Sequence, residues 1–126
     1  RYADVLLLKA EALIMQDTPD LDGAADIIDE VRERAKLGAL SASTRSNKNA
    51  MLNALLKERR LELAFEGQRW FDLVRLDKVE EVMNAVYSKD SGRKAQVYAF
   101  DKTSYRLPIP QSVIDANDKI HQNPGY

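Results

Sequence analysis

The sequence predicts an all-α fold in which paired helices precede an irregular C-terminal segment that contains proline. Long segments consist of strong helix formers and repeat their apolar residues every three or four positions. Three of the four prolines follow residue 107, and two of them, Pro108 and Pro110, forbid regular helix over Leu107–Pro110. With 126 residues, of which 44% are hydrophobic, we expect residues 1–126 to form a single domain with a buried core.

The first predicted helix, Ala3–Met15, contains neither Gly nor Pro and has two apolar faces. The two faces are Leu6, Leu7, Ala10, Leu13 and Ile14, and Val5, Leu8, Ala12 and Met15. We therefore expect this helix to be packed on both sides, the second side against protein outside this chain. The apolar pattern is already running at Tyr2, so we also expect the chain to be the C-terminal part of a longer protein.

After a turn at Pro19, a second helix is predicted from Asp22 to Lys36 with a single apolar stripe, and Gly38 is predicted to supply its left-handed C-terminal cap. These two helices would form an antiparallel hairpin similar to one tetratricopeptide-type repeat unit. The remaining elements are predicted in this order: a polar loop over 39–47, a helix over Lys48–Glu66 that Gly67 interrupts, helices over Gln68–Val74 and Lys78–Tyr87, a turn at 90–93, an extended segment over Val97–Tyr105, and a short helical turn over Gln111–Asn117.

The composition argues against several classes of function. Nineteen Lys and Arg against 20 Asp and Glu give a net charge of -1, which provides no strong attraction to nucleic acid. The chain has no cysteine, so it forms neither a disulfide nor a thiolate metal site. Lys9 and Glu11 interrupt the longest apolar stretch, which is too short to span a bilayer. We expect no cofactor and no transmembrane segment.

The most unusual feature is a block of charged residues on an apolar helical face. At about 100° per residue, Arg59, Glu62 and Glu66 fall among the leucines of the third helix, so we expect all three to be partly buried. Glu62 and Glu66 are four residues apart with like charge, which is unfavourable unless cations lie between them. We therefore predict a structural ion network under this helix. Its members are Arg59, Glu62, Glu66, Arg69, Asp72 and Arg75.

The same carboxylates, Glu62 and Glu66 with Asp72, would also suit an acid and base pair of the glycosidase type. The nearby arginines argue against catalysis, because a cation beside a carboxylate lowers its pKa, whereas a general acid needs a raised one. His121 is the single histidine and has no metal-ligand spacing. No serine has a histidine partner at motif spacing. We predict no catalytic residue and no metal site.

Aromatic residues are the remaining candidates for ligand contact. Trp70 shares one apolar stripe with Leu73 and Val74, so we predict that it belongs to the core rather than to a sugar-binding platform. Three tyrosines in or near predicted loops are better placed to touch a ligand, and these are Tyr87, Tyr98 and Tyr105. The sequence identifies no ligand-binding residue beyond this.

Four blocks of residues follow one another along the chain. They are Arg1–Leu8 with Ala10–Ala12, Val31–Ala35, Glu58–Arg75, and Leu107–Pro110 with Gln122–Tyr126. In this order they resemble the C-terminal region of the SusD/RagB family, glycan-binding lipoproteins of the Gram-negative outer membrane. The block Glu58–Arg75, with the sequence ERRLELAFEGQRWFDLVR, is the most diagnostic. Lys36 departs from the family pattern, since a glycine is common there.

The resemblance implies a right-handed α-α superhelix of tetratricopeptide-like hairpins, completed by a larger N-terminal part. It also implies a non-enzymatic protein that binds an oligosaccharide or other nutrient at the outer-membrane surface and works with a SusC-like TonB-dependent transporter. Membrane attachment would come only from a lipid anchor upstream of this chain. Ligand sites in the family draw mostly on upstream regions, so the resemblance assigns no ligand-binding residue here.

An alternative interpretation is a helical-repeat adaptor that binds another protein, which a two-sided first helix and one repeat-like hairpin would allow. The upstream sequence discriminates between the two. An export signal that ends in a lipidated cysteine would favour nutrient import, whereas further periods of about 34 residues would favour the adaptor.

Overall fold

A computed structural model describes residues 1–89 and 99–126 of the chain. All regular secondary structure in these ranges is helical, so the prediction of an all-α fold is confirmed. The helices are α1 (Tyr2–Met15), α2 (Leu21–Arg34), α3 (Ala42–Arg45), α4 (Lys48–Glu62), α5 (Arg69–Arg75), α6 (Val79–Lys89) and α7 (Gln111–Ala116), with a 3-10 helix (Lys102–Tyr105) between α6 and α7. The chain divides into two compact units, Arg1–Arg69 and Trp70–Tyr126. The single domain over residues 1–126 stays a prediction.

The first unit is built on α1, α2 and α4, which pack against one another around one core. Arg1 at the start of α1 and Arg34 at the end of α2 both meet Glu62 at the end of α4, so α1 runs antiparallel to the other two helices. This α1–α2 hairpin is compatible with a tetratricopeptide-like unit. The core residues are Leu7, Ala10, Ile14, Ala24, Ala25, Ile28, Val31, Met51 and Leu55. They recur every three or four positions, which is the spacing that places side chains on one helical face.

Helix α2 ends earlier than predicted, and its left-handed residue is Lys36 rather than Gly38. Lys36 has a φ of 57°, and its N–H donates to Glu33 O at 2.8 Å. The N–H of Leu37 donates to Arg32 O at 2.9 Å, which closes the helix. Arg32 Nε donates to Gly38 O at 2.8 Å and holds the chain just beyond this turn. The prediction for Gly38 was therefore wrong, because hydrogen bonding closes the helix two residues before the glycine.

The predicted polar loop over 39–47 contains a short helix, α3, that the sequence prediction missed. At the start of α3, the Ser41 side chain accepts a hydrogen bond from Thr44 N at 3.3 Å. Asn47 acts in the same way for α4, because its side chain accepts from Ala50 N at 2.9 Å. Serine and asparagine are residues that satisfy the free N–H groups of a first helical turn, so this polar segment starts two helices.

Helix α4 begins at Lys48 as predicted but ends at Glu62, four residues earlier than expected. The Arg1 guanidinium donates to the backbone carbonyl of Glu62, the acceptor that the N–H of Glu66 would need to extend the helix. The N–H of Glu66 donates to Leu63 O at 3.2 Å instead. Phe65 and Gly67 then take left-handed φ values of 66° and 74°. The helix therefore ends where its last carbonyl is bound by Arg1 and where the backbone turns left-handed at Phe65 and Gly67.

The second unit consists of short elements. Leu73 and Val79 are its buried apolar residues among those described, and α6 packs against the 3-10 helix. The expected extended segment over 97–105 was wrong for residues 102–105, because the Asp101 side chain accepts from the N–H groups of Thr103 and Ser104 and starts a 3-10 helix. The predicted turn at 90–93 and the beginning of the extended segment lie outside the described residues.

The C-terminal segment is irregular between the 3-10 helix and α7, as its prolines predict. Side-chain amides supply the hydrogen bonds that regular structure would otherwise provide. Gln122 accepts from Ile109 N at 2.8 Å and donates to Ile109 O at 2.9 Å. Asn123 donates to Leu107 O at 2.7 Å. These bonds tie the tail to the proline-containing segment, because backbone polar groups of irregular chain still need partners.

Candidate functional site

The charged end of α4 contains two almost fully buried ionic side chains, Glu58 and Arg59, each only 3% exposed. Glu58 Oε2 accepts from Arg32 Nη1 of α2 at 3.0 Å. Arg59 Nη1 donates to Asp4 Oδ1 of α1 at 2.7 Å. Successive residues of one helix are therefore bound to two different neighbours. Buried charges are tolerated when they are paired and hydrogen-bonded in this way.

Glu62, one turn further along, receives arginines from both neighbouring helices. Its side chain is 9% exposed and accepts from Arg1 Nη1 at 3.1 Å and from Arg34 Nη2. Arg1 Nη2 also lies 2.6 Å from Glu66 Oε1, so this one cation links two carboxylates of like charge. The hydrogen bond with Glu66 raises the pKa of Arg1 above its ordinary value. Glu62 and Glu66, four residues apart, were predicted to need a cation between them, and Arg1 at the start of α1 supplies it.

Of the charged residues predicted to be partly buried, Arg59 and Glu62 are buried or nearly so. The Glu66 side chain is 37% exposed, so that prediction was wrong, because Glu66 lies beyond the end of α4 in a turn. Arg69 Nη1 donates to Leu56 O at 3.1 Å within the first unit. In the second unit, Asp72 is 3% exposed and accepts from Arg75 Nη2 at 2.8 Å. A common network of all six residues stays a prediction.

Four partners in these pairs were not predicted from the sequence, and they are Arg1, Asp4, Arg32 and Arg34. Glu58 could have been included in the predicted ion network, since it lies four residues before Glu62 on the same helical face. The arginines of α2 carried no such signal, because their sequence separation from α4 is 26 and 28 residues. Only the packing of the hairpin on α4 brings them to these carboxylates.

A second cluster of ion pairs binds α3 to α2. Arg45 Nη1 donates to Asp26 Oδ1 at 2.9 Å, and its Nη2 donates to Asp29. These hydrogen bonds, first that of Asp26, raise the pKa of Arg45. Asp29 also accepts from the backbone N–H of Leu40 at 2.8 Å. The cluster therefore ties the connection between α2 and α4 to α2.

This arrangement suits structural support better than acid and base chemistry. Glu58, Glu62 and Asp72 each accept hydrogen bonds from arginine. The Tyr105 hydroxyl lowers the pKa of Asp77 and the Thr103 hydroxyl lowers the pKa of Asp101, in both cases away from the range of a general acid. Within residues 1–89 and 99–126, no group of three His, Asp or Glu side chains is placed to hold a metal ion.

Two of the open grooves lined by described residues lie beside a tyrosine that could contact a ligand. One has a volume of about 450 Å³ and lies in the first unit between Tyr2 and Arg34. The other has a volume of about 350 Å³ and lies in the second unit beside Tyr105 and Asn123. Tyr105 Oη donates to Asp77 Oδ1 at 2.9 Å. Partial desolvation, together with this bond, raises the pKa of Tyr105.

Two of the other aromatic candidates, Tyr87 and Trp70, both contact the ring of Phe100. Tyr87 lies in α6 rather than in a loop, and its ring stacks on Phe100 with centroids 5.2 Å apart. Trp70 meets the same ring edge-on at 6.4 Å and is half-buried, an arrangement typical of packing between aromatic side chains. Tyr98 lies outside the described residues. None of the helices in the described ranges is both long and apolar enough to cross a membrane.

A model of the SusD family matches residues 1–126. The chain is 34% identical over 132 residues to SusD-like protein P2 of Formosa agariphila, covering 100% of this chain and 25% of that protein. It is 41% identical over 92 residues to SusD-like protein P38 of the same organism, covering 68% of this chain and 18% of that protein. The crystal structure of a SusD-like protein from Bacteroides fragilis matches 100% of this chain with a TM-score of 0.75 and 27% identity. The chain spans about a quarter or less of the length of each of these proteins.

Proposed function

Because this chain belongs to the SusD family, we propose that it is part of a non-catalytic protein that binds glycans or other nutrients for uptake across the outer membrane. The observation that carries the proposal is the family match, which extends over all 126 residues. Two relatives are 34% and 41% identical to the chain, over 100% and 68% of its length. The proposal concerns the whole protein, of which this chain would form the helical support.

Within that protein, the charged end of α4 holds the hairpin of α1 and α2 in place. Glu58 binds α2, Arg59 binds α1, and Glu62 binds both. Oriented ion pairs of this kind fix the relative positions of helices even where their net contribution to stability is small. The charged block is therefore assigned to architecture, and ligand recognition is left to other residues.

The partner that we propose is a SusC-like TonB-dependent transporter in the outer membrane. The binding protein would capture an oligosaccharide or other nutrient at the cell surface and transfer it to the transporter. Attachment to the membrane would come from a lipid anchor upstream of these residues. This partnership is inferred from the family, whose members are described as SusD-like.

The proposal is tested by isothermal titration of the full-length protein with a panel of oligosaccharides and peptides and with the transporter, and by chromatography of each oligosaccharide mixture after long incubation. We expect saturable binding of one class of glycan, with the oligosaccharide recovered at its original length. Shortened products would show that the protein is an enzyme. Binding to the transporter without affinity for any glycan or peptide in the panel would show that it is an adaptor.

A further inference from the structure

A groove in the second unit brings together two cationic side chains and a tyrosine beside the C-terminal tail. We call it the tail groove. It has a volume of about 350 Å³, and its lining residues are Lys102, Thr103, Tyr105, Arg106, Asn123 and Pro124. Small-molecule sites in proteins span roughly 300 to 1,000 Å³, so the tail groove has room for a small ligand or for one unit of a longer chain.

The two segments that line the tail groove are fixed to each other independently of any ligand. Asn123 Nδ2 of the tail donates to Leu107 O at 2.7 Å. Gly125, with a φ of 96°, packs closely on the 3-10 helix, since a Cβ at this position would lie 2.7 Å from the Cβ of Thr103. A site whose walls are already in place binds its ligand without the entropic cost of ordering them.

The lining of the tail groove is positively charged, because two of its described residues are cations and none is an acid. Asp77, outside the lining, accepts from Lys102 Nζ at 3.3 Å and from Tyr105 Oη at 2.9 Å. Asp101 is engaged at the start of the 3-10 helix, whose N–H groups it accepts. Lys102 is therefore partly neutralised, and the bound hydroxyl of Tyr105 leaves its ring for contact with a ligand.

Arg106 is the cation of the tail groove that is available to a ligand. Its backbone carbonyl accepts from Tyr126 Oη at 3.1 Å, but within residues 1–89 and 99–126 its guanidinium forms no ion pair and no hydrogen bond. A guanidinium presents parallel N–H groups that match the oxygens of a carboxylate or a similar oxyanion. Asn123 also has an amide oxygen that accepts no bond from the described residues and can accept one from a hydroxyl. The tail groove thus combines an anion-binding group with polar and aromatic surface for a sugar ring.

We propose that the tail groove is a subsite for an acidic sugar unit, whose carboxylate or sulfate group pairs with the Arg106 guanidinium. A uronate carboxylate and a sulfate ester offer similar oxygens to this cation, so the groove recognises the anionic group on the sugar. The inference rests on the proposed function in nutrient binding and adds a substrate class to it, which is acidic glycans. A neutral oligosaccharide gains nothing from Arg106, whereas an acidic one gains a charge-assisted bond.

The test compares acidic and neutral forms of the same oligosaccharide by isothermal titration of the full-length protein. The probes are trigalacturonate with its methyl ester, and a sulfated galactan tetrasaccharide with its desulfated form. We expect at least one acidic probe to bind at least about tenfold more tightly than its neutral form, which is the scale of one charge-assisted bond. The acidic probe that shows this preference distinguishes a carboxylate from a sulfate as the anion that is recognised.

Arg106→Gln keeps a polar side chain but removes the charge, so the preference for the acidic probe should fall about tenfold while the Kd of the neutral form is unchanged. Lys119→Gln is the matched control, because it makes the same change in net charge at an exposed residue outside the lining of the tail groove. Its preference should equal that of the unaltered protein. Added salt should weaken binding of the acidic probe less in Arg106→Gln than in Lys119→Gln.

Equal affinity for the acidic and neutral forms would overturn the inference and leave the proposed function standing, because the protein would still bind a glycan. Full preference for the acidic probe in Arg106→Gln would also overturn it, since the anion would then bind elsewhere. The inference would fail as well if none of the four probes bound while another glycan of the panel did. Absence of binding to every glycan and peptide would instead contradict the proposed function itself.

Discussion

Different interactions stabilise the interior of each of the two units of the chain. The first unit has long helices and a core of nine fully or almost fully buried apolar residues. In the second unit, whose helices have at most 11 residues, the fully or almost fully buried apolar side chains among those described are Leu73 and Val79. Long helices satisfy most of their own backbone groups, so their side chains are available for burial. Short elements leave many backbone groups free, and side chains must bond them.

Charged residues show the same contrast. In the first unit, ion pairs join different helices, as between Arg32 and Glu58 or between Arg59 and Asp4. In the second unit, Asp72 pairs with Arg75 and Lys78 pairs with Glu81, each at a spacing of three residues within the chain. Pairs across helices fix tertiary structure, whereas pairs within a helix stabilise only that helix. The second unit also has a long-range pair, Lys102 with Asp77, but these side chains are 74% and 63% exposed, so the buried ion pair among the described residues of this unit is the local one between Asp72 and Arg75.

The largest loss of stability is expected from a cavity in the core of the first unit. Ile28 is fully buried between α1 and α4, so Ile28→Ala should lower the free energy of unfolding by about 4 kcal/mol. Leu37→Ala, at a 46% exposed site, should cost less than about 0.5 kcal/mol. Urea denaturation of both variants gives the comparison. Equal losses would contradict a core centred on Ile28.

A somewhat smaller loss of unfolding free energy is expected when Glu58 loses the guanidinium of Arg32. Arg32→Ala leaves a carboxylate that is 3% exposed without its described partner, and this should cost about 3 kcal/mol. Arg34→Ala is the matched control, because the Arg34 side chain is 61% exposed and its pair should contribute at most about 1 kcal/mol. If the two variants unfold at the same urea concentration, the burial of the Glu58 pair has no energetic consequence.

In the second unit, the largest loss of stability is expected from substitution of Asn84, whose side-chain amide bonds the backbone of Phe100. Asn84 donates to Phe100 O and accepts from Phe100 N, both at 2.9 Å, so Asn84→Ala removes two hydrogen bonds worth together about 2 kcal/mol. Hydrogen exchange at the Phe100 amide should accelerate accordingly. Gln111→Ala removes one exposed bond to Asp115 and should leave that exchange rate unchanged. Slow exchange at Phe100 in Asn84→Ala would show that apolar packing orders this unit as well.

A gain in stability is expected at Lys36, which has a φ of 57°. Glycine adopts this left-handed conformation without steric cost, so Lys36→Gly should stabilise the chain by about 0.5 to 1 kcal/mol. Lys36→Ala removes the same charge but keeps a Cβ, and should give no such gain. Thermal unfolding of the two variants separates backbone strain from charge, and an equal gain in both would attribute the effect to the charge.

The smallest effect concerns Asp77 in the second unit. The Tyr105 hydroxyl and Lys102 hold the pKa of Asp77 below its usual value of 3.8. Asp77 therefore binds a proton less readily in the folded chain than in the unfolded chain. The bonds of ionised Asp77 thus stabilise the fold above pH 3.8, and this stabilisation is lost as the pH falls through the lower pKa of the folded state. Tyr105→Phe should raise the pKa of Asp77, measured from its carboxyl carbon by NMR. Asp101, whose pKa is lowered by Thr103 and Ser104, is the internal control and should not change.

The sequence predicted what depends on periodicity. The buried face of α1 and its exposed opposite face both follow from spacing, and α4 begins at the predicted Lys48. Helix ends were less predictable. The last carbonyl of α4 accepts a hydrogen bond from Arg1, which is 61 residues away, and this tertiary contact leaves no local pattern in the sequence. The end of α2 is closed by local backbone bonds around Lys36, which a glycine two residues later does not indicate.

The candidate site was predictable in part for the same reason. The placement of Arg59 and Glu62 among leucines predicted their burial, but the same reasoning was wrong for Glu66, which lies beyond the end of α4. Their partners were not indicated, since Asp4 and Arg34 reach them only through helix packing. The short helix α3 was missed although Ser41 and Asn47 are recognisable N-cap residues, because a polar segment also fits a loop.

The central claim is that the charged block on α4 supports the fold and performs no chemistry. Glu62→Gln in the full-length protein tests it most directly, with unfolding, glycan binding and glycan hydrolysis measured on the same preparation. We expect the free energy of unfolding to fall by about 1 to 2 kcal/mol, because charge-assisted bonds to Arg1 and Arg34 are weakened, while glycan affinity is unchanged and no product forms. A variant with unaltered stability but altered binding or turnover would contradict this account.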